Sequence, residues 1–169
     1  MKKLLLILFL TFSSLGNSQE TALDGDHFGI AFSPGIVVQR NVFLEANIFA
    51  GRIIANTNAK VPAVGVIGFR AGLETDFNRT IAPKIGYEIA ILAITARLSA
   101  ANYFQGSRSD FRLIPELGFT MGGWVSLTYG YGISFKNSDL TDIGHHRVSL
   151  SFNINKKLKD ATFELLKKP

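Results

Sequence analysis

Histidine, aspartate and serine are the side chains that could support catalysis or metal binding in this 169-residue chain. The three histidines are His27, His145 and His146, and the adjacent pair stands close to Asp142. A metal site or an acid–base pair would need two of these groups on one side of the chain. Neighbouring residues of an extended chain point to opposite faces, so His145 and His146 do not converge on one ion. Serines and aspartates are plentiful, but no spacing ties a nucleophile to a base. No glycine loop stands where it would cradle a phosphate. The chain has no cysteine, which excludes a thiolate metal site, a cysteine nucleophile, a disulfide framework and lipid anchoring through an acylated cysteine. No catalytic, metal or cofactor site is expected, and the chain does not read as an enzyme.

A different chemistry comes from eight charged residues: Glu45, Arg70, Glu74, Lys84, Glu88, Arg97, Arg112 and Glu116. Four are acidic and four basic, and each falls in the polar row of an otherwise apolar alternating segment. Their meaning depends on the elements that carry them.

Those elements are marked by hydrophobicity of period two, which defines strands with two unlike faces. Val125, Leu127, Tyr129, Tyr131, Ile133 and Phe135 alternate with Ser126, Thr128, Gly130, Gly132 and Ser134. Val148, Leu150, Phe152 and Ile154 alternate with Ser149, Ser151, Asn153 and Asn155. The same pattern recurs upstream in rows beginning at Phe28, Val42, Ile67, Ile81, Leu92 and Phe111. Eight strands are expected, separated by turn signals at Gln39 to Asn41, Ala55 to Lys60, Asp76 to Arg79, Gln105 to Asp110, Gly122-Gly123 and Asn137 to His145. Between Ile89 and Ala93 no Gly, Asn or Pro marks a turn. Fusing the two rows there would give seven strands, one of them far longer than an ordinary strand. Pro34, Pro83 and Pro115 fall inside strands, where each removes a ladder donor.

The polar rows are dominated by Gly, Ala, Ser and Thr, which suit the narrow interior of an eight-stranded barrel. The other rows are continuous in Ile, Leu, Val, Phe and Tyr, as a lipid-facing band requires. The expected fold is therefore all-β: an antiparallel up-and-down transmembrane barrel with the eight charges paired inside it. Tyr103, Phe104, Phe111 and Trp124 stand at strand ends and are expected at headgroup level.

The two ends of the chain have a different character. Lys2 and Lys3, an apolar run from Leu4 to Phe12 broken only by Thr11, and Gly16-Asn17-Ser18 before Gln19 read as a secretory signal over residues 1–18. The formal net charge of +5 lies in these ends. Removing Lys2, Lys3 and the tail Lys156 to Pro169 leaves eleven basic and eleven acidic residues over the expected barrel, 19–155. A nucleic-acid binder would carry its basic stripe on the folded body, so that partner class is not expected. The tail is expected to fray, with a basic amphipathic helix bearing Leu158, Ala161, Thr162 and Leu165 on one side as the alternative.

Pro83-Lys-Ile-Gly-Tyr-Glu88, Arg112-Leu-Ile-Pro-Glu-Leu-Gly118, Leu127-Thr-Tyr-Gly-Tyr-Gly-Ile133 and His146-Arg-Val-Ser-Leu-Ser-Phe-Asn-Ile-Asn155 together give a resemblance. Over roughly residues 80 to 155 the chain resembles small outer-membrane β-barrel proteins of the Bacteroidetes or flavobacterial type. The resemblance implies a cell outer-membrane location in a Gram-negative cell and outer-membrane lipid as surroundings. It also implies insertion by the barrel-assembly machinery, and it transfers no catalytic residue. The expected role is structural or surface-interacting, with a packed lumen and no open pore. Two alternatives remain at this point. One is a soluble periplasmic barrel binding a lipid or other apolar ligand, with Tyr129, Tyr131 and Phe152 lining its pocket. The other is a membrane-embedded lipid-modifying enzyme.

Overall fold

The computed structural model describes residues 25–57, 60, 62–135, 140 and 143–167. The expected signal segment, Asp142 and the last two residues of the tail lie outside the described residues. The strands are β1 (Gly25–Val38), β2 (Val42–Asn56), β3 (Ala63–Thr75), β4 (Thr80–Ile91), β5 (Ile94–Gln105), β6 (Arg108–Met121), β7 (Val125–Tyr131), β8 (Ile133–Ser134) and β9 (His146–Phe152). A helix, α1 (Lys156–Lys167), follows. From β1 to β7 each strand pairs antiparallel with the next, β7 pairs with β9, and β9 pairs back onto β1, so the sheet closes into a barrel, with β8 paired to β6. The closing seam runs over Gly35–Val38 and the Phe32–Ile154 bridge, so among the described residues 25–31 of β1 pair with β2 alone.

The short β8 continues β7 beyond Gly132, so the barrel has eight staves. In both pieces the register against β6 is the same, with Glu116 opposite Gly130 and Leu113 opposite Ile133. Pro115 falls in the gap between these pairs. It has no N–H to donate to the ladder, and the pairing lapses there without a bulge. Pro34 creates the same deficit at the closing seam. Where a residue with an N–H would bond Phe152, the neighbouring Ser33 hydroxyl donates to the Phe152 carbonyl at 3.0 Å instead.

The unmarked junction between the fourth and fifth segments is a two-residue turn at Leu92 and Ala93. Leu92 adopts a left-handed φ of 55°, a conformation that glycine or asparagine usually supplies. Neighbouring strands hold it there. The Leu92 N–H donates to the Val64 carbonyl at 2.9 Å, and the Leu92 carbonyl accepts from the Gly122 N–H at 2.8 Å.

The apolar rows face outward on every stave. Phe28, Ile30, Phe69, Ile85, Leu98, Leu117, Phe119, Leu127, Tyr129 and Val148 are all exposed. Between the two rims the outward positions carry no charge; Asp26 and Arg52, paired with each other, lie at the rim where the chain enters and leaves the barrel. Tyr129, Tyr131 and Phe152, which would line a pocket in a face-inverted barrel, lie on the outside.

The tail departs from the frayed terminus expected of it. Lys156–Lys167 is a helix with Leu158, Ala161 and Thr162 buried. Asn155 caps it, accepting the Leu158 N–H on its side-chain oxygen at 3.1 Å and the Lys159 N–H on its carbonyl at 3.0 Å. The helix persists because it closes the mouth of the barrel. Leu158 and Ala161 pack with Ala31, Phe49, Ile53, Ala55, Val64, Val66 and Ala90, while Trp124 and Leu165 complete the cluster. At the opposite mouth Val37, Phe43, Ala82, Ala101, Tyr103 and Ile114 pack with Leu140 and Ile143, which fold inward from the 135–145 connection. The interior is therefore layered, apolar at both mouths and polar between them.

Candidate functional site

The polar layer is built from inward positions of all eight staves, its charges coming from six of them. All eight charges in the polar rows are buried there: Glu45, Arg70, Glu74, Lys84, Glu88, Arg97, Arg112 and Glu116. Strand pairing explains the first contacts. Glu45 stands opposite Glu74 on β3, and Glu88 stands opposite Arg97 on β5. The like-charged pair Glu45–Glu74 would repel if left alone. Lys84 resolves this by donating to Glu45 Oε2 and Glu74 Oε1, each at 2.7 Å. On the next level Arg70 donates to Glu88 Oε2 at 2.9 Å and reaches Glu45 Oε1 at 3.3 Å. Arg97 donates from Nε to Glu88 Oε1 at 2.9 Å and from its second nitrogen to the Ser151 hydroxyl at 2.6 Å.

Six of the eight are thus joined directly. Glu116 and Arg112 are paired through residues absent from the expected set. Arg147 on β9 lies 3.4 Å from Glu116 and donates to Glu74 Oε1 at 2.6 Å. Asp110 on β6 accepts from Arg112 Nε at 2.6 Å and from the Ser134 hydroxyl at 2.6 Å. Both lie in the polar rows, each one residue ahead of where the apolar alternation begins, at Val148 and Phe111. Extending every polar row by one residue would have found them. The filled set has five acids and five bases, so the layer remains neutral.

Tyr103 corrects a second expectation. It is not at an outer rim; it is fully buried in the lumen. Its hydroxyl donates to Glu74 Oε2 at 2.7 Å and accepts from Arg147 at 2.9 Å, and the Arg112 guanidinium lies 5.7 Å above its ring. Phe104 and Phe111 do face outward, and Phe111 contacts Phe135 at 5.8 Å between ring centres. Trp124 turns against the helix, 5.2 Å from the Phe163 ring.

His145 stacks on Tyr131 and bonds the Gly132 carbonyl at 2.9 Å, while His146 contacts Tyr129 and Tyr131 on the outer face. Among the described residues no three His, Cys, Asp or Glu side chains form a metal-binding group.

Chemically, the layer is a dense ion-pair network, in which Arg70 Nε, Arg147 Nε and Glu116 Oε2 have no hydrogen-bond partner among the described residues. Burying a charge costs several kcal/mol unless partners replace its water, and the multiple bonds to Glu45, Glu74 and Glu88 supply that replacement. With apolar clusters toward both mouths, the fold and this network define a class: a closed eight-stranded antiparallel β-barrel with buried charges inside. No family model, no curated protein and no solved structure matches the chain.

Proposed function

We propose that this chain is a small integral outer-membrane protein whose barrel spans the lipid and whose lumen is closed to ions and solutes. One observation carries the reading. Along all eight staves the outward row is apolar and uncharged between the rims, and apart from the Asp26–Arg52 pair near one rim the charges within the strands point inward. In water that arrangement would expose a continuous apolar surface far above the few hundred Å² that soluble monomers tolerate. In a bilayer it is the favoured one. The residues 1–18 supply the export signal that such a location requires, and the barrel-assembly machinery and outer-membrane lipid are the partners it implies. Because the stave number is even, both ends of the barrel chain lie at one rim. The longest connection, 135–145, lies at the other. Short periplasmic turns and longer outside loops are the general rule, so α1 faces the periplasm and the 135–145 loop faces outward.

The role is structural or surface-interacting, without an enzymatic step. Urea or alkaline washing of isolated membranes tests the location: the protein should stay in the pellet, and release into the soluble fraction would overturn the proposal. Reconstitution in planar bilayers tests the closed lumen, with no stepwise conductance expected. Comparing the lipids of deletion and parent cells tests the absence of a lipid-modifying activity, with identical profiles expected.

A further inference from the structure

We propose that α1 is a lipid-binding element as well as a plug, and that its outer flank seats on anionic phospholipid headgroups at the periplasmic rim. The proposal rests on the membrane reading above and adds a partner to it. A helix advances about 100° per residue. Leu158, Ala161, Thr162 and Leu165 therefore share the face turned to the lumen, and the first three are buried. On the same geometry Lys159, Phe163, Leu166, Lys156 and Lys167 fall together on one flank, with Asp160 at its edge beside Lys156 and Lys167, whereas Glu164 and Lys157 fall on the other. The first flank has three lysines against the single Asp160 at its edge, a net positive charge, and carries two apolar side chains. Leu166 is 61% exposed and Phe163 39% exposed, although the helix is docked.

A docked helix needs only its inner face for stability, and a solvated flank would ordinarily be polar. Lysines interleaved with apolar side chains fit a headgroup layer, where the apolar groups enter the acyl boundary and the ammonium groups meet phosphate. The flank is also placed to reach it. Phe163 lies 5.2 Å from Trp124, which sits in the 122–124 turn at the rim of the apolar outer band. Trp124, Phe163 and Leu166 thus continue the lipid-facing surface onto the helix.

Trp124 is the single tryptophan of the chain, so its fluorescence reports on this contact. The protein is folded into phosphatidylcholine vesicles containing phosphatidylglycerol, with bromine on the acyl chains of either lipid at equal mole fraction. Brominated phosphatidylglycerol should quench Trp124 at least about two-fold more strongly than brominated phosphatidylcholine. The preference should fall toward unity in about 1 M salt, where charges are screened beyond roughly 3 Å. It should also vanish in the combined variant Lys156→Gln, Lys159→Gln, Lys167→Gln, whose unchanged emission maximum in detergent would show that the helix remains docked. Equal quenching by the two lipids in the parent protein would overturn the proposal and leave the membrane reading standing. So would a preference that the triple variant retains. No quenching by either lipid would overturn both.

Discussion

Arg147 on β9 and Glu74 on β3 meet across the barrel lumen at 2.6 Å, fully buried and 73 positions apart in sequence. The contact joins two staves that stand three apart around the sheet, so it braces the barrel across its lumen. Glu74 also receives Lys84 and the Tyr103 hydroxyl, which makes it the most heavily bonded group of the network.

Removing one partner of this pair leaves a buried charge with too few bonds. Arg147→Met or Glu74→Gln should each destabilise the barrel by about 3–5 kcal/mol, read from urea unfolding in detergent micelles. The double variant should be markedly less damaging than the sum of the two, because neither charge is then left alone. Strict additivity would mean that the two side chains are not coupled.

The outward row predicts a depth profile. Leu98 lies midway along β5, and Phe77 lies in the 76–79 turn beyond the strands. Folded into vesicles, Leu98→Arg should lose about 2–4 kcal/mol and Phe77→Arg no more than about 1 kcal/mol. Both positions are exposed in the isolated barrel. Equal costs would therefore argue that the surface around them is water and not lipid.

Two glycines with left-handed φ separate backbone strain from packing. At Gly106, φ is +61° and a Cβ would meet nothing within 4 Å. At Gly122, φ is +57° and a Cβ would lie 2.8 Å from Thr162 Oγ1 of the helix and 3.0 Å from Val64. Gly106→Ala should cost about 1 kcal/mol from conformation alone. Gly122→Ala should cost more, by a further 1–3 kcal/mol or so of overpacking, and should increase protease cleavage within α1. Similar melting temperatures for the two variants would contradict this packing account.

Asp76, in the 76–79 turn, supplies a pH dependence. Its slight burial acts to raise the carboxyl pKa, but hydrogen bonds from the Thr80, Arg79 and Asn78 N–H groups prevail and hold it below the usual carboxylate range. A depressed folded value means that the carboxylate contributes stability above its unfolded pKa of about 3.9 and loses it as pH falls through the folded value. Asp76→Asn keeps the accepting oxygen but does not titrate. The parent's advantage over this variant should be constant near neutral pH and shrink on acidification below about pH 4, as followed by thermal melts. An advantage that grew in acid would reverse the assignment.

Much of the fold is legible in the chain because a strand's two faces differ chemically at every second residue. From Phe28 to Ile154 that alternation marks the staves and assigns their faces, and it places Glu45, Arg70, Glu74, Lys84, Glu88, Arg97, Arg112 and Glu116 in the polar rows. It does not say who pairs with whom. Pairing depends on register and closure, which bring Arg147 from the last stave to Glu74 on the third and leave Glu116 dependent on Arg147. Arg147 and Asp110 sit at strand starts, where one polar residue has too few alternating neighbours to declare its face. Tyr103 is amphipathic and suits a rim as well as a lumen; it keeps the inward phase of Arg97, Ser99 and Ala101 along β5, and Glu74 and Arg147 satisfy its hydroxyl there. The Leu92 turn has no sequence mark because its left-handed backbone is held by bonds to Val64 and Gly122 on adjacent strands. The tail has helical spacing but little intrinsic stability at its length. Only the apolar mouth left open by Phe49, Ile53, Val64 and Val66 makes it a helix. Local chemistry determined the strands and their faces; closure of the barrel decided the partners, the unmarked turn and the plug.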